Sequence, residues 1–213
     1  MTITKYEHSC LDIEEQGKRL IIDPGDFATS LTDFNNIEAV VITHVHFDHC
    51  NAEKVQAIIS ANPAVKIFTT GQVAEKLGAD KVIVARAGQT ETVGPFSLQF
   101  FGGTHAIIHP SMPPDQNIGV LVNNSFYYAG DSFDPSQQTV DVLAVPAHAP
   151  WMKIAEVMDF IAEIKPRWVF PTHNIFLSDL GQELVNNRLS ATTEENGGQY
   201  KYLAIGQALD TSS

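Results

Sequence analysis

Apolar residues recur along this chain in short unbroken runs. RLIIDP (19–24), AVVIT (39–43), KIFTT (66–70), VIVAR (82–86), FSLQFF (96–101), NIGVLV (117–122), DVLAV (141–145) and RWVF (167–170) are rich in branched and aromatic residues, and turn-forming residues border most of them. That pattern predicts buried or half-buried strands. Between them the spacing changes to that of amphipathic helices. NAEKVQAIISAN predicts a helix over 51–62, stopped at Asn62-Pro63. MKIAEVMDFIAEIK predicts one over 152–165, with Ile154, Met158, Ile161 and Lys165 near one face and Pro166 ending it. A third helix is predicted from Ser178, a residue suited to an N-cap, through LGQELVNNRL. The closing ALDTSS reads as frayed chain. EAVVITHVH and VDVLAVPAH both run an apolar strand into a histidine, a faint likeness that either chance or two similarly built halves would leave.

Composition narrows the classes. At 213 residues and 44% hydrophobic content, the chain is expected to form one domain over 1–213. A formal net charge of -12 leaves no basic surface to neutralise phosphates, so a nucleic-acid partner is not expected. No run approaches the roughly 20 apolar residues of a membrane span, and MTITKYEHSC lacks the basic-then-apolar layout of a signal peptide. The expected setting is the cytoplasm, away from membranes, with a small-molecule substrate. Cys10 and Cys50 are expected to be reduced, buried thiols.

The histidines bring in chemistry. Within VITHVHFDHC (41–50), His44, His46, Asp48 and His49 crowd into six positions behind an apolar strand. His105, His148 and His173 also follow strand ends, where loops from several strands converge into ligand sites. His44 and His46, two apart, can splay toward one point; the adjacent Asp48 and His49 suit a second. Imidazole and carboxylate are ligands for zinc and, with different preferences, for iron or manganese. Adding His105, Asp131 and His173 gives seven candidate ligands, too many for one tetrahedral zinc and enough for two ions sharing a carboxylate.

The H-x-H-x-D-H pattern of His44, His46, Asp48 and His49, then GGTH with His105, YYAGDS with Asp131 and FPTH with His173, resembles the metallo-β-lactamase fold superfamily. Within it, HSCLDIE, LIIDP and PTH are similar to the compact metal-dependent hydrolases of the ascorbate-phosphate lactonase-like group. The resemblance implies an α/β fold, an αβ/βα four-layer sandwich of two mixed β-sheets flanked by helices. It implies two divalent metal ions, zinc foremost with manganese or iron as alternatives: His44, His46 and His105 for the first, Asp48, His49 and His173 for the second, Asp131 bridging. The implied activity is hydrolysis of an ester, lactone or phosphoester bond in a small metabolite by water activated between the ions, with Asp48 orienting that water. An aspartate at Asp131, where the commonest metallo-β-lactamases have a cysteine, argues against a β-lactamase.

Other residues are candidates for lesser roles. Asp23 in LIIDPG could accept a hydrogen bond from a metal-bound imidazole, or simply serve the turn. His109, in THAIIHPSMPPDQN, is expected on a loop over the site, where an imidazole could protonate a leaving group. His148, also a catalytic candidate, and Trp151, in PAHAPW where similar hydrolases often carry a glycine pair, are expected to narrow or line the pocket. His8 opens the first strand pair near the metals. The competing functions are a phosphodiesterase or nuclease of the same ligand set, which the charge disfavours, and a non-catalytic metal-binding protein.

Overall fold

A computed structural model describes residues 1–78 and 81–211. Its strands are β1 (Thr2–Lys5), β2 (Leu11–Glu15), β3 (Lys18–Ile22), β4 (Ile37–Ile42), β5 (Lys66–Thr69), β6 (Val82–Val84), β7 (Thr90–Val93), β8 (Phe96–Gly102), β9 (Ile118–Val122), β10 (Phe126–Tyr128), β11 (Val142–Pro146), β12 (Trp168–Thr172), β13 (Gln199–Tyr200) and β14 (Ala208–Asp210). The helices are α1 (Ala52–Ala61), α2 (Gly71–Leu77), α3 (Ile154–Ile164) and α4 (Asp179–Glu195). One sheet has the order β14-β1-β2-β3-β4-β5-β6 and the other β13-β12-β11-β10-β9-β8-β7.

The apolar runs are continuous because both faces of the inner strands are covered. Leu20 and Ile22 of β3 and Ala39 and Val41 of β4 face the second sheet, where they meet Phe100, Val120, Val122 and Phe170. Their alternates Ile21, Val40 and Ile42 face outward onto Val55 and Ile58 of α1 and Val73 of α2. The second sheet repeats the arrangement, with Leu143, Val145 and Val169 turned toward Val157, Phe160 and Ile161 of α3 and Leu189 of α4. The result is the four-layer αβ/βα sandwich of two mixed sheets.

Each sheet consists of antiparallel strands followed by three parallel steps: β3, β4, β5 and β6 in one, β10, β11, β12 and β13 in the other. The two sequence stretches that resemble each other are thus β4 and β11 with the loops that follow them, at corresponding places in the two halves.

Local chemistry sets the helix limits. Asn51 Oδ1 accepts the Lys54 amide at 2.8 Å to cap α1, and Ser178 Oγ accepts the Gly181 amide at 3.2 Å to cap α4, which runs beyond the predicted stretch to Glu195. On α3 the predicted face is corrected. Val157, Phe160 and Ile161 are buried, while Ile154 and Met158 are half-buried and Lys165 is the exposed left-handed C-cap. Apolar residues line more than one stripe of this helix, and packing on the sheet selects the stripe. The closing stretch is corrected too: Ala208–Asp210 is not frayed but pairs with β1, while Ser212 and Ser213 lie outside the described residues. VIVAR forms the edge strand β6, where Ile83 and Val84 are exposed. Cys10 and Cys50 are free thiols buried in the same apolar layer. Among the described residues, no helix is long and apolar enough to cross a membrane.

Candidate metal centre

Parallel strands in both sheets end at one edge of the sandwich, and the loops beyond them bring the candidate residues together. His44, His46, Asp48 and His49 follow β4, His105 follows β8, Asp131 follows β10 and His173 follows β12. His8, in the turn between β1 and β2, joins them. Three sets of donor atoms lie within 4.8 Å of one another: His44, His46 and His105; Asp48, His49 and His173 with His8; and Asp131 with His44 and His49. Asp131 lies between the first two groups, its carboxylate 3.5 Å from His105 Nε2, 3.4 Å from both His49 Nε2 and His173 Nε2, and 4.0 Å from His44 Nε2.

In five of these six imidazoles, all but His8, the outer nitrogen is held by an oxygen. His49 Nδ1–H donates to Asp23 Oδ2 at 2.6 Å, His105 Nδ1–H to the Ala106 carbonyl at 2.6 Å, and His173 Nδ1–H to the His148 carbonyl at 2.7 Å. His44 Nδ1–H donates to Thr43 Oγ1 at 3.0 Å, and that hydroxyl in turn donates to Asp23 Oδ2 at 2.7 Å. His46 is held the other way round, Nε2–H donating to Asp115 Oδ2 at 3.1 Å. An acceptor on one ring nitrogen fixes the tautomer and turns the other nitrogen's lone pair inward. Five lone pairs therefore aim at one small volume. His44 Nε2 lies 3.1 Å from His46 Nδ1 and His49 Nε2 lies 3.3 Å from His173 Nε2, contacts between groups of the same kind that need something between them.

Two buried atoms make the same point. His105 Nε2 and Asp131 Oδ1 have no hydrogen-bond partner, and a fully buried polar atom without one calls for an ion or another ligand. The donor set fits divalent cations of the zinc type. Electrostatics agrees with the geometry. Burial opposes charge on Asp131, but positive charge on His173 and His49 outweighs it and holds the carboxyl well below the usual range. Burial likewise opposes charge on Asp48, and the hydrogen bonds with His173 and His8 overcome it. For His49, burial favours the neutral ring, yet Asp131, Asp23 and Asp48 together raise it to about 9. A cation held there would have to displace that proton.

The backbone is bent to make this possible. His8, Asp23 and His173 adopt left-handed conformations with φ of 59°, 49° and 56°, and the His173 amide donates to the His8 carbonyl at 2.9 Å. Such residues concentrate where the surroundings impose them, as at binding sites. Gly25 approaches the Asp48–His49 peptide so closely that a Cβ on it would sit 1.9 Å from the Asp48 carbonyl oxygen. The Asp-Pro-Gly turn thus serves the acid loop, and Asp23 both opens that turn and accepts from His49. Gly130, at φ 66°, packs against Asn117, whose Oδ1 accepts the Asp131 amide at 3.1 Å.

His8 Nε2 lies 3.0 Å from Asp48 Oδ2, and Trp151 Nε1–H donates to Asp131 Oδ2 at 2.9 Å with its ring 5.7 Å from that of His105. Trp151 therefore touches the centre itself. The structure does not bring His109 and His148 into the cluster in the expected way. His109 is exposed, and its Nδ1 is tied to Ser111. His148 contributes its carbonyl, while its side chain is exposed. Sequence reasoning missed Thr43, Asp115 and Asn117. Only Thr43 left a trace, its place directly before His44.

A family model described as the β-lactamase superfamily domain matches residues 2–173. The chain belongs to the β-lactamase superfamily. Among members, Protein Rv0786c of Mycobacterium tuberculosis is 35% identical over 199 residues, covering 91% of this chain and 93% of its own. A UPF0173 metal-dependent hydrolase of Pyrococcus abyssi is 25% identical over 181 residues, covering 75% of this chain and 78% of its own. Among solved structures, the metallo hydrolase Igni18 of Ignicoccus hospitalis superposes with a TM-score of 0.74 at 19% identity, over 98% of this chain and 97% of that one. That likeness is one of fold, and it extends to both sheets of the superfamily sandwich.

Proposed function

We propose that this protein is a metal-dependent hydrolase working with two divalent cations on a small-molecule ester, lactone or phosphoester. The observation that carries the reading is the set of five imidazoles tethered at their outer nitrogens, with inner nitrogens converging on Asp131. His44, His46 and His105 would hold one ion and Asp48, His49 and His173 the other, with Asp131 shared. Cations bound there supply Lewis acidity toward a carbonyl or phosphoryl oxygen and lower the pKa of water. The chain's own part is orientation. His8 anchors Asp48 Oδ2, the carboxylate oxygen nearest His173 (3.4 Å) and His49 (3.8 Å), so that Asp48 can accept and steer a proton of the reacting water. Trp151 fixes Asp131 Oδ2 through its indole N–H. With a net charge of -12, the chain favours compact substrates over a polynucleotide.

The test compares hydrolysis of a simple lactone and a chromogenic phosphodiester by zinc- or manganese-loaded protein, with metal content measured by mass spectrometry and Asp131→Ala as the blank. Two ions per chain and at least a hundredfold loss in the variant are expected. Unchanged turnover in Asp131→Ala, or a chain that takes up no divalent ion from excess zinc or manganese, would refute the reading.

A further inference from the structure

We propose that the mouth of this centre selects substrates carrying an apolar chain or ring, which packs against a wall of three phenylalanines, Phe27, Phe47 and Phe176. The proposal rests on the hydrolase reading for its setting and adds the substrate class. Each ring stands on a different loop that also carries a group of the centre. Phe27 lies just beyond Asp23, Phe47 stands between His46 and Asp48, and Phe176 is three residues beyond His173. The rings meet edge to face, Phe27 being 5.6 Å from Phe47 and 5.4 Å from Phe176. Phe27 and Phe176 also lie 5.2 and 5.5 Å from the ring of His8, the residue that holds Asp48. The wall is therefore continuous with the Asp48 side of the centre.

Two of the rings remain open to water. Phe47 is 54% exposed and Phe176 57%, and the neighbouring Ile175 is 44% exposed. A clustered apolar surface beside buried carboxylates and imidazoles marks a binding surface. Its size identifies the occupant. With Phe47 and Phe176 about half exposed and Phe27 less so, the wall offers on the order of 300 Å² of accessible surface, below the roughly 500 Å² per partner that a stable protein interface needs and well suited to one acyl or aryl group. A substrate would be oriented with its apolar part toward Phe47 and Phe176 and its polar part toward the buried carboxylates and imidazoles.

The experiment is calorimetric titration of zinc-loaded protein with n-alkylphosphonates from methyl to octyl. Affinity is expected to rise about two- to fourfold per methylene while the chain still finds wall to cover. The octyl-to-methyl ratio should fall at least tenfold in the double variant Phe47→Ser, Phe176→Ser. An affinity flat with chain length, or a slope unchanged in the variant, overturns the proposal. So does a self-associating wild type that the variant turns into a monomer with the slope intact, because the wall would then be an interface between copies. The hydrolase reading fails separately: a slope that persists in protein unable to hold zinc keeps the wall and removes the metal chemistry.

Discussion

Asp23→Asn removes the direct acceptor of one imidazole, His49, while His44 keeps its own acceptor, the Thr43 hydroxyl. Asp23 is fully buried and accepts three hydrogen bonds: from the Thr43 amide at 2.7 Å, from the Thr43 hydroxyl at 2.7 Å and from His49 Nδ1–H at 2.6 Å. An asparagine of the same shape keeps the amide bond through its oxygen, and the Thr43 hydroxyl can rotate to accept from its NH₂. His49 cannot adapt in that way. With an NH₂ facing it, Nδ1 must give up its proton, and the ring then presents Nε2–H, not a lone pair, to the cation. A hydrogen bond to a charged group contributes about 1.5–3 kcal/mol, and that loss converts to roughly 10- to 150-fold in the affinity of the ion His49 would hold. The same range is expected for loss of a residue that orients a metal-bound histidine. Chelator-competition titration with zinc should show one of two sites weakened by that factor and the other within a few-fold of wild type. Two sites of wild-type affinity in Asp23→Asn would refute the argument, as would equal weakening of both.

Two further predictions address other parts of the chain. Gly25→Ala forces the Asp48–His49 peptide to move, since its new Cβ would also lie 2.6 Å from the His49 amide nitrogen; the expected result is a metal content of one ion per chain and about 1–3 kcal/mol lower stability, checked by mass spectrometry and urea unfolding, and a fully loaded, wild-type-stable variant would count against it. Lys5 is 1% exposed, its ammonium is held by the Tyr6 carbonyl and Asn174 Oδ1, and burial lowers it from 10.5 to about 8. The folded state thus binds fewer protons than the unfolded chain between those values, so this group's penalty, about 3 kcal/mol, is fully present below pH 8 and is relieved as pH rises toward 10.5. Lys5→Met should remove that dependence, and a stability difference between variant and wild type that stays constant from pH 7 to 10.5 would exclude it.

The inner strands were legible in the sequence because burial on both faces writes them as unbroken apolar runs. β1 (TITK) and β7 (TETV) were not, since alternating polar positions leave too little signal in four residues. α2 escaped notice because its seven residues bury Val73 and little else. At the centre, the seven candidate ligands stood out by residue type and clustering. Their supports did not. Asp115 reaches His46 with its carboxylate and His105 with its carbonyl from the far end of a loop, and the carbonyls of Ala106 and His148 belong to the backbone, which a sequence does not distinguish from any other peptide group. His148 was noticed for its ring, and the structure engages the atom that every residue has.

The position of Asp131 has a mechanical meaning as well as a chemical one. His44, His46, Asp48 and His49 belong to loops of one sheet, while His105, Asp131 and His173 belong to loops of the other. A cation bound among them would act as a rivet across the seam between the halves. Its binding energy would then resist shear of one sheet over the other, and a ligand that binds only the closed seam raises global stability in proportion to the logarithm of its concentration over its dissociation constant. Stripping the metal would thus loosen the joint as well as silence the chemistry, leaving the two sheets held by the apolar layer and by a few hydrogen bonds such as that from the His173 amide to the His8 carbonyl.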